Sequence, residues 1–326
     1  MTRLLSKSGL GIIAAVALSA AAPAKADVVA YSSFSISNAG LYYTNSVGGL
    51  TQLPASNSGF GVNTGSITNN AVNVALAGTL NDYKSGIGGG TGNLNIDPQM
   101  AVIGSGAFGQ NNFGRASVTP GNEFTRADSR LTGSLASFPN SNFLASQTVA
   151  ETRLTGDNNT AASASTGSSG GISFNFTLNG DTYNNLTLQL DAVLSLYVAI
   201  TGEPDSQNNA TASANLVLRL TKANDTTVVR ELNINDILGG TSIPTVNASL
   251  NGTSDSLDLS TPGRIALGLG TLAPGSWTLS IVQTASVSAG STTVPEPGVP
   301  ALLGTSILLV GALLRLRRRE EGGLGA

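Results

Sequence analysis

The chain contains neither histidine nor cysteine. That removes the Ser-His-Asp triad, the thiol nucleophile, and the usual nitrogen and sulfur ligands of zinc, copper and haem. A serine–lysine dyad would have two lysines to draw on between residues 27 and 296: Lys84 beside a glycine-rich stretch, and Lys222 at the end of a strand pattern. Paired carboxylates remain, because glycoside hydrolysis needs a protonated acid and an ionised partner about 5–10 Å apart. The glutamates open to partial shielding are Glu123, Glu151, Glu203 and Glu231, and none lies among aromatic residues on which a sugar ring would stack. Aromatic residues are 5 % of the chain, and the single tryptophan, Trp277, falls in an alternating apolar row where it packs a core. No enzymatic activity is expected.

Calcium is the one metal worth naming, since hard oxygen ligands are plentiful. Asp157-Asn158-Asn159, Asp181 with Asn184 and Asn185, and Asp255 with Asp258 are the loops that offer them. None completes a ligand pattern, and Asp and Asn favour turns for backbone reasons alone. No cofactor or metal ligand set is assigned. Gly86 to Gly92 lacks the lysine and hydroxyl of a phosphate loop and reads as a flexible turn.

Around these residues the composition is uneven. Charged residues are 11 % of the chain and the net charge is −3. The first 26 residues hold +3 and residues 297–326 hold +2, which leaves −8 on residues 27–296. A mildly acidic body with scattered basic residues argues against nucleic acid as a partner. Without cysteine, stability must come from sheet hydrogen bonds and apolar burial.

The elements that would position any site are strands. Val28 to Tyr31, Phe34, Ile36 and Leu41 to Tyr43 predict one or two short strands, with turns at Ser37-Asn38-Ala39-Gly40 and Ser46 to Gly49. Val72, Val74 and Leu76 suggest another. Glu123 to Leu131 is the densest charge cluster of residues 27–296 and reads as a solvated turn or short helix, and Glu151-Thr152-Arg153 as a second charged segment before a Gly/Ser-rich loop, Thr155 to Gly171. Ile172, Phe174, Phe176 and Leu178 alternate with polar residues. The longest alternation runs from Leu186 to Ile200, which predicts a half-buried strand that bends or crosses between sheets midway. Ala212 to Leu220 repeats the pattern, Val228 to Leu232 continues it, and Asn233 to Leu238 reads as one helical turn. After a Pro274-Gly275 turn, Trp277, Leu279, Ile281, Ala285 and Val287 form a last inward row. Oily-faced antiparallel strands bury that face best against a second sheet, so the fold expected is all-β: an antiparallel β-sandwich of jelly-roll or immunoglobulin-like type over residues 27–290. A β-solenoid for residues 61–115 is the rival, without a fixed repeat to support it.

The termini carry a different signal. Arg3 and Lys7 precede the apolar Leu10 to Ala22, and Ala24-Lys25-Ala26 has the small-x-small spacing of a signal-peptidase site, so residues 1–26 read as a secretory signal peptide recognised at Ala24 and Ala26. Residues 291–326 begin with Pro295-Glu296-Pro297, whose prolines fix φ and remove two donors, giving an extended, exposed kink. An uncharged run follows, predicting a transmembrane helix over about residues 299–316, close to the lower limit of about 17–25 residues needed to span a bilayer. Arg315, Arg317, Arg318 and Arg319 then stop transfer and stay cytoplasmic.

This order resembles the PEP-CTERM sorting signal of bacterial exosortase substrates. The resemblance implies that a membrane-embedded cysteine protease cuts near Pro295-Glu296-Pro297 and passes the exported protein to the envelope. It also implies a Gram-negative setting with exopolysaccharide and a biofilm role. A plain C-terminal membrane anchor is the competing reading of the same residues. Together these features describe an exported, transiently anchored protein with a structural or adhesive role at the surface or in the extracellular matrix. Its partners would be signal peptidase, exosortase, the membrane before processing and exopolysaccharide. A carbohydrate-binding module, using a groove of Tyr42, Tyr43, Tyr183 or Tyr197, is the alternative, and a secreted hydrolase comes third.

Overall fold

The computed structural model describes residues 27–53, 60–62, 67–76, 80–89, 93–117, 122–134, 137–138, 143–155, 160–167, 172–179, 183–201, 208–222, 228–233, 245–248 and 253–291. The chain divides into two compact units, one ending at Thr292 and one spanning Thr293–Ala326. The described residues belong to the first.

That unit is all-β. Sheet A runs in the order β16 (Thr253–Leu272), β12 (Tyr183–Thr201), β1 (Asp27–Thr44), β9 (Leu144–Thr155), β8 (Phe124–Ser134) and β6 (Asn93–Ile96). To it are added β2 (Leu50–Gln52) beside β1 and β7 (Ala101–Gly104) beside β8. Sheet B runs β14 (Val228–Asn233), β13 (Asn209–Lys222), β17 (Gly275–Ser291), β10 (Thr160–Gly167), β4 (Ile67–Leu76) and β5 (Leu80–Gly89). It also holds β11 (Ile172–Leu178) beside β17, β3 (Phe60–Val62) beside β11, and β15 (Thr245–Ala248) beside β13. The ladders within both sheets are antiparallel.

The two sheets share one core, an arrangement consistent with a β-sandwich. Alternation explains which face each strand buries: Val28, Ala30, Ser32, Phe34 and Ile36 of β1 are buried, as are Ile200, Val198, Leu196 and Leu194 of β12 opposite the first four. From sheet B come Ala212 to Leu220 and the predicted row Trp277, Leu279, Ile281, Ala285 and Val287. Phe138, Phe143, Phe174 and Phe176 close one region, with Phe138 and Phe174 stacked at 5.0 Å and Phe143 meeting both edge-on at 4.8 Å. Polar pins cross between the layers. Gln283 Nε2 donates to Phe34 O at 2.6 Å, Ser32 Oγ to Ser213 O at 2.8 Å, and Thr125 Oγ1 to Ser163 O at 3.0 Å. Buried groups of this kind hold register because moving them would leave them unsatisfied.

Several expectations need correction. Ser37 to Gly40 is not a turn: β1 runs through it as one strand, and the extra residues form a bulge in the pairing with β12, with Asn38 at φ +53°. The predicted turn at Ser46 to Gly49 is present, Asn45 N–H bonding Gly49 O, with Gly48 at φ +82°. The long alternation of β12 does not switch sheets. It stays in sheet A between β1 and β16, with register irregularities in its pairing with β16. The glycine-rich Ser85 to Gly89 is the end of β5, paired with β4, and Thr160 to Gly167 is a strand between β4 and β17 rather than a loop. Residues of the 61–115 stretch lie in the two antiparallel sheets, not in a solenoid. The largest correction is at Glu123 to Leu131, where Phe124 onward belongs to β8 and not to a solvated turn or helix. Small residues hide its period: Thr125, Ala127, Ser129 and Leu131 face the core, and the charges share the other face.

The helical turn expected at Asn233 to Leu238 falls, beyond Asn233, outside the described residues. So do the predicted signal peptide and the helix over 299–316. Among the described residues, no helix is long and apolar enough to cross a membrane.

Candidate functional site

The charged side chains cluster on the outer face of sheet A. β8 places Phe124, Arg126 and Asp128 there, and the register with β9 sets Arg126 directly opposite Glu151. The same row continues through Tyr31 of β1 to Tyr197 of β12. An outer sheet face would normally be wet, yet Arg126 and Glu151 have side chains 0 % and 2 % exposed.

The cover is the irregular segment from Ser105 to Ser117, which straps across the sheet. Arg126 forms an ion pair with Glu151 at 2.7 Å, and its Nη1 and Nη2 also donate to the carbonyls of Asn112, at 3.0 Å, and Gly114. Ala116 N–H reaches both oxygens of Glu151 at 3.1 Å. Asn111 N–H donates to Asp128 Oδ2 at 2.6 Å, and Asn111 Nδ2 to Asp97 Oδ2 at 2.9 Å. Gln110 Nε2 takes the other oxygen of Asp97 at 2.8 Å. Tyr31 donates its hydroxyl to Phe113 O at 2.8 Å, the Arg115 guanidinium lies 4.1 Å above the Tyr197 ring, and Phe108 packs on Phe124 at 4.7 Å. Where the strap leaves β7, Gly104 takes φ +99°, and a Cβ there would meet Glu123 O at 2.3 Å. No side chain fits that approach.

Burial dominates the electrostatics. It pushes the Glu151 carboxyl above its ordinary range, an effect larger than the opposing pull of Arg126. It pushes Asp128 up as well, with Asp97 adding to the rise and the Asn111 and Ser129 amides opposing it. The Tyr31 phenol is raised chiefly by burial, which keeps it protonated as the donor to Phe113. The carboxylate is covered and paired, and the guanidinium donates both to it and to two strap carbonyls. The chemistry of this cluster is holding: it fixes the strap.

The glutamates singled out from the sequence are dispersed. Glu151 is in the strap's anchor, Glu123 accepts from Thr155 N–H at 3.0 Å and its hydroxyl at 2.8 Å, and Glu231 pairs with Arg219 on the surface at 2.8 Å. Glu203 lies outside the described residues. The four tyrosines do not line one groove. Tyr43 and Tyr183 meet edge-on at 5.3 Å, Tyr42 carries Arg264 on its hydroxyl and ring, and Tyr197 lies beneath Arg115. Of the calcium loops, Asp157 to Asn159 and Asp181 fall outside the described residues, Asn184 and Asn185 are exposed, and Asp255 and Asp258 sit on β16. Among the described residues, no group of three or more acidic side chains is placed to hold a metal ion. The processing residues Ala24, Ala26, Pro295, Glu296, Pro297, Arg315, Arg317, Arg318 and Arg319 all lie outside the described residues.

The outer face of sheet B contrasts with this cluster. Successive cross-strand rows read Ala75, Ser163, Ser288, Thr211, then Asn73, Ser165, Ser286, Ser213, then Thr284 and Asn215. None of these positions is charged. The described charges of this face, Arg219 and Glu231, stand at the far end of β13 and β14. Sequence reading missed both features. The strap lies in a stretch without periodicity, and the polar rows form only when β4 and β10 are recognised as strands.

The fold and these surfaces define a two-layered, all-β protein with one strapped, charged face and one face whose described central positions carry hydroxyls and carboxamides. No family model, no curated protein and no solved structure matches the chain.

Proposed function

We propose that this chain is an exported, exosortase-processed structural or adhesive protein of the bacterial surface or extracellular matrix, associated with exopolysaccharide or biofilm. The observation that carries the reading is the paired terminal grammar: a charged, apolar, small-x-small N-terminus, and Pro295-Glu296-Pro297 followed by an apolar run and Arg315 to Arg319. In this reading signal peptidase acts after Ala26. The helix over about 299–316 holds the chain in the inner membrane with the β unit outside, and exosortase then removes the tail. Two features of the β unit favour a structural role over a carbohydrate-binding groove: the dispersal of the four tyrosines, and the smooth hydroxyl and amide face of sheet B. Within the proposal the two-sheet frame is an enlarged relative of the jelly-roll or immunoglobulin-like sandwiches.

The test is localisation in a Gram-negative host that carries an exosortase. Wild-type chain should leave the inner membrane, whereas Glu296→Ala combined with Pro297→Ala should hold it there at full length. Identical partition of the two proteins would sink the proposal in favour of a plain anchor.

A further inference from the structure

We infer that the strap of sheet A is fastened by a calcium ion, held by Asp97, Asp128 and Asn111. The inference concerns the folded unit alone and stands or falls independently of export and trimming.

Two carboxylates meet at one residue of the strap. Asn111 donates its N–H to Asp128 Oδ2 at 2.6 Å and its Nδ2 to Asp97 Oδ2 at 2.9 Å, while Gln110 Nε2 takes Asp97 Oδ1 at 2.8 Å. Asn111 is held at φ +63°, a left-handed conformation that asparagine adopts more readily than most side chains. Those bonds alone would only fix a loop. What they leave over points to a ligand. Asp128 is fully buried, and its Oδ1 has no partner. Asn111 Oδ1 is buried and unpartnered as well. Both oxygens only accept, and they belong to two residues already joined by the 2.6 Å bond. A buried acceptor left in this state bears its full desolvation cost.

The neighbouring donors are already in use. Arg126 donates to Glu151, Asn112 and Gly114, and Ala116 N–H to Glu151. Arg130, next along the same face of β8, brings no bond to Asp128 Oδ1. Burial and the charge of Asp97 push the Asp128 carboxyl upward, against the Asn111 and Ser129 amides and Arg126, so the anion is costly where it stands. One divalent cation offsets both carboxylates and gives the two orphaned oxygens a common partner.

The ligand chemistry selects calcium. Every available atom is a hard oxygen: Asp128 Oδ1, Asn111 Oδ1 and the remaining lone pairs of Asp97, with Pro98 O bordering the same place at 3.4 Å from Gln110 Nε2. Calcium accepts about 6–8 oxygens in flexible geometry and fills gaps with water, whereas magnesium demands a near-ideal octahedron. Two carboxylates are few for such a site, which puts the affinity in the range of extracellular modules, about 0.1–1 mM.

Thermal unfolding and hydrogen exchange of the full-length chain, first dialysed against EDTA, test the site at neutral pH, with magnesium at equal ionic strength as the control. Calcium at about 10 mM should raise the midpoint by about 3–5 °C and slow exchange at Asn111, with half the effect reached near 0.1–1 mM. Asp128→Asn should abolish both responses. Asp97→Asn is the second variant, read in the same way should the first misfold. A wild-type chain indifferent to calcium overturns the inference, whether a proton or a water serves Asp128 instead. So does an equal response to magnesium, or a calcium response that survives these substitutions and therefore arises elsewhere.

Discussion

Glu151→Gln tests the strap's anchor most sharply. The substitution keeps the shape of the side chain but removes its charge, leaving Arg126, with a side chain 0 % exposed, facing neutral acceptors alone: the carbonyls of Asn112 and Gly114 and the amide oxygen of the new glutamine. Breaking a buried pair from one side costs about 3–5 kcal/mol. For a unit of this size that corresponds to a fall of roughly 6–10 °C in thermal midpoint, at about 2 °C per kcal/mol. Replacing a whole buried ion pair by apolar residues of similar volume is often neutral or stabilising, because neither charge is then desolvated. Arg126→Met with Glu151→Leu should therefore recover most of the midpoint. The strap should not recover, because Ala116 N–H and the carbonyls of Asn112 and Gly114 lose their partners and turn to water. Circular dichroism gives the midpoints, and hydrogen exchange at Asn111 and Ala116 reports the strap. A single variant within about 1 °C of wild type, or a double variant whose strap amides stay protected, would refute this account of what the ion pair does.

Gly104→Ala should destabilise the unit by at least about 1–3 kcal/mol, since φ +99° and a 2.3 Å approach to Glu123 O both oppose a Cβ, and denaturant unfolding reads it directly. Phe176→Ala, opening the aromatic cluster beside Phe138, should cost about 3–5 kcal/mol in the same assay. The pH dependence carries a definite sign. Burial raises Asp128 above its ordinary value of 3.8, so the folded unit binds its proton more readily than the unfolded chain. The resulting contribution is fully present below 3.8 and lost as pH rises through the folded value. Asp128→Asn should flatten that part of the stability-against-pH curve, and an unchanged slope would show that Asp128 is not desolvated.

The sequence was readable wherever large apolar residues alternated with polar ones, as in β11, β12, β13 and β17. It was unreadable where the inward residues were small. In β10 the buried side chains are Ala162, Ala164 and Thr166, which carry little apolar contrast against Ser163 and Ser165. In β8 the inward Thr125, Ala127 and Ser129 let the charges dominate the reading, and the segment that covers those charges lies in sequence before them. Charges spaced by two with small residues between them are the signal that marks such a strand, one whose outer face is covered. The bulge at Asn38 was visible only as a turn-like cluster, because Asn, Gly and Ser serve both purposes. The processing residues proposed at the two termini lie outside the described residues.

Intact mass of the protein recovered from envelope and culture medium bears most directly on the proposed export and trimming. The account predicts a chain that begins near Asp27 and ends near Pro295, without the apolar run or the arginines. A mass that still includes Arg319 would contradict it and leave a permanent anchor in its place.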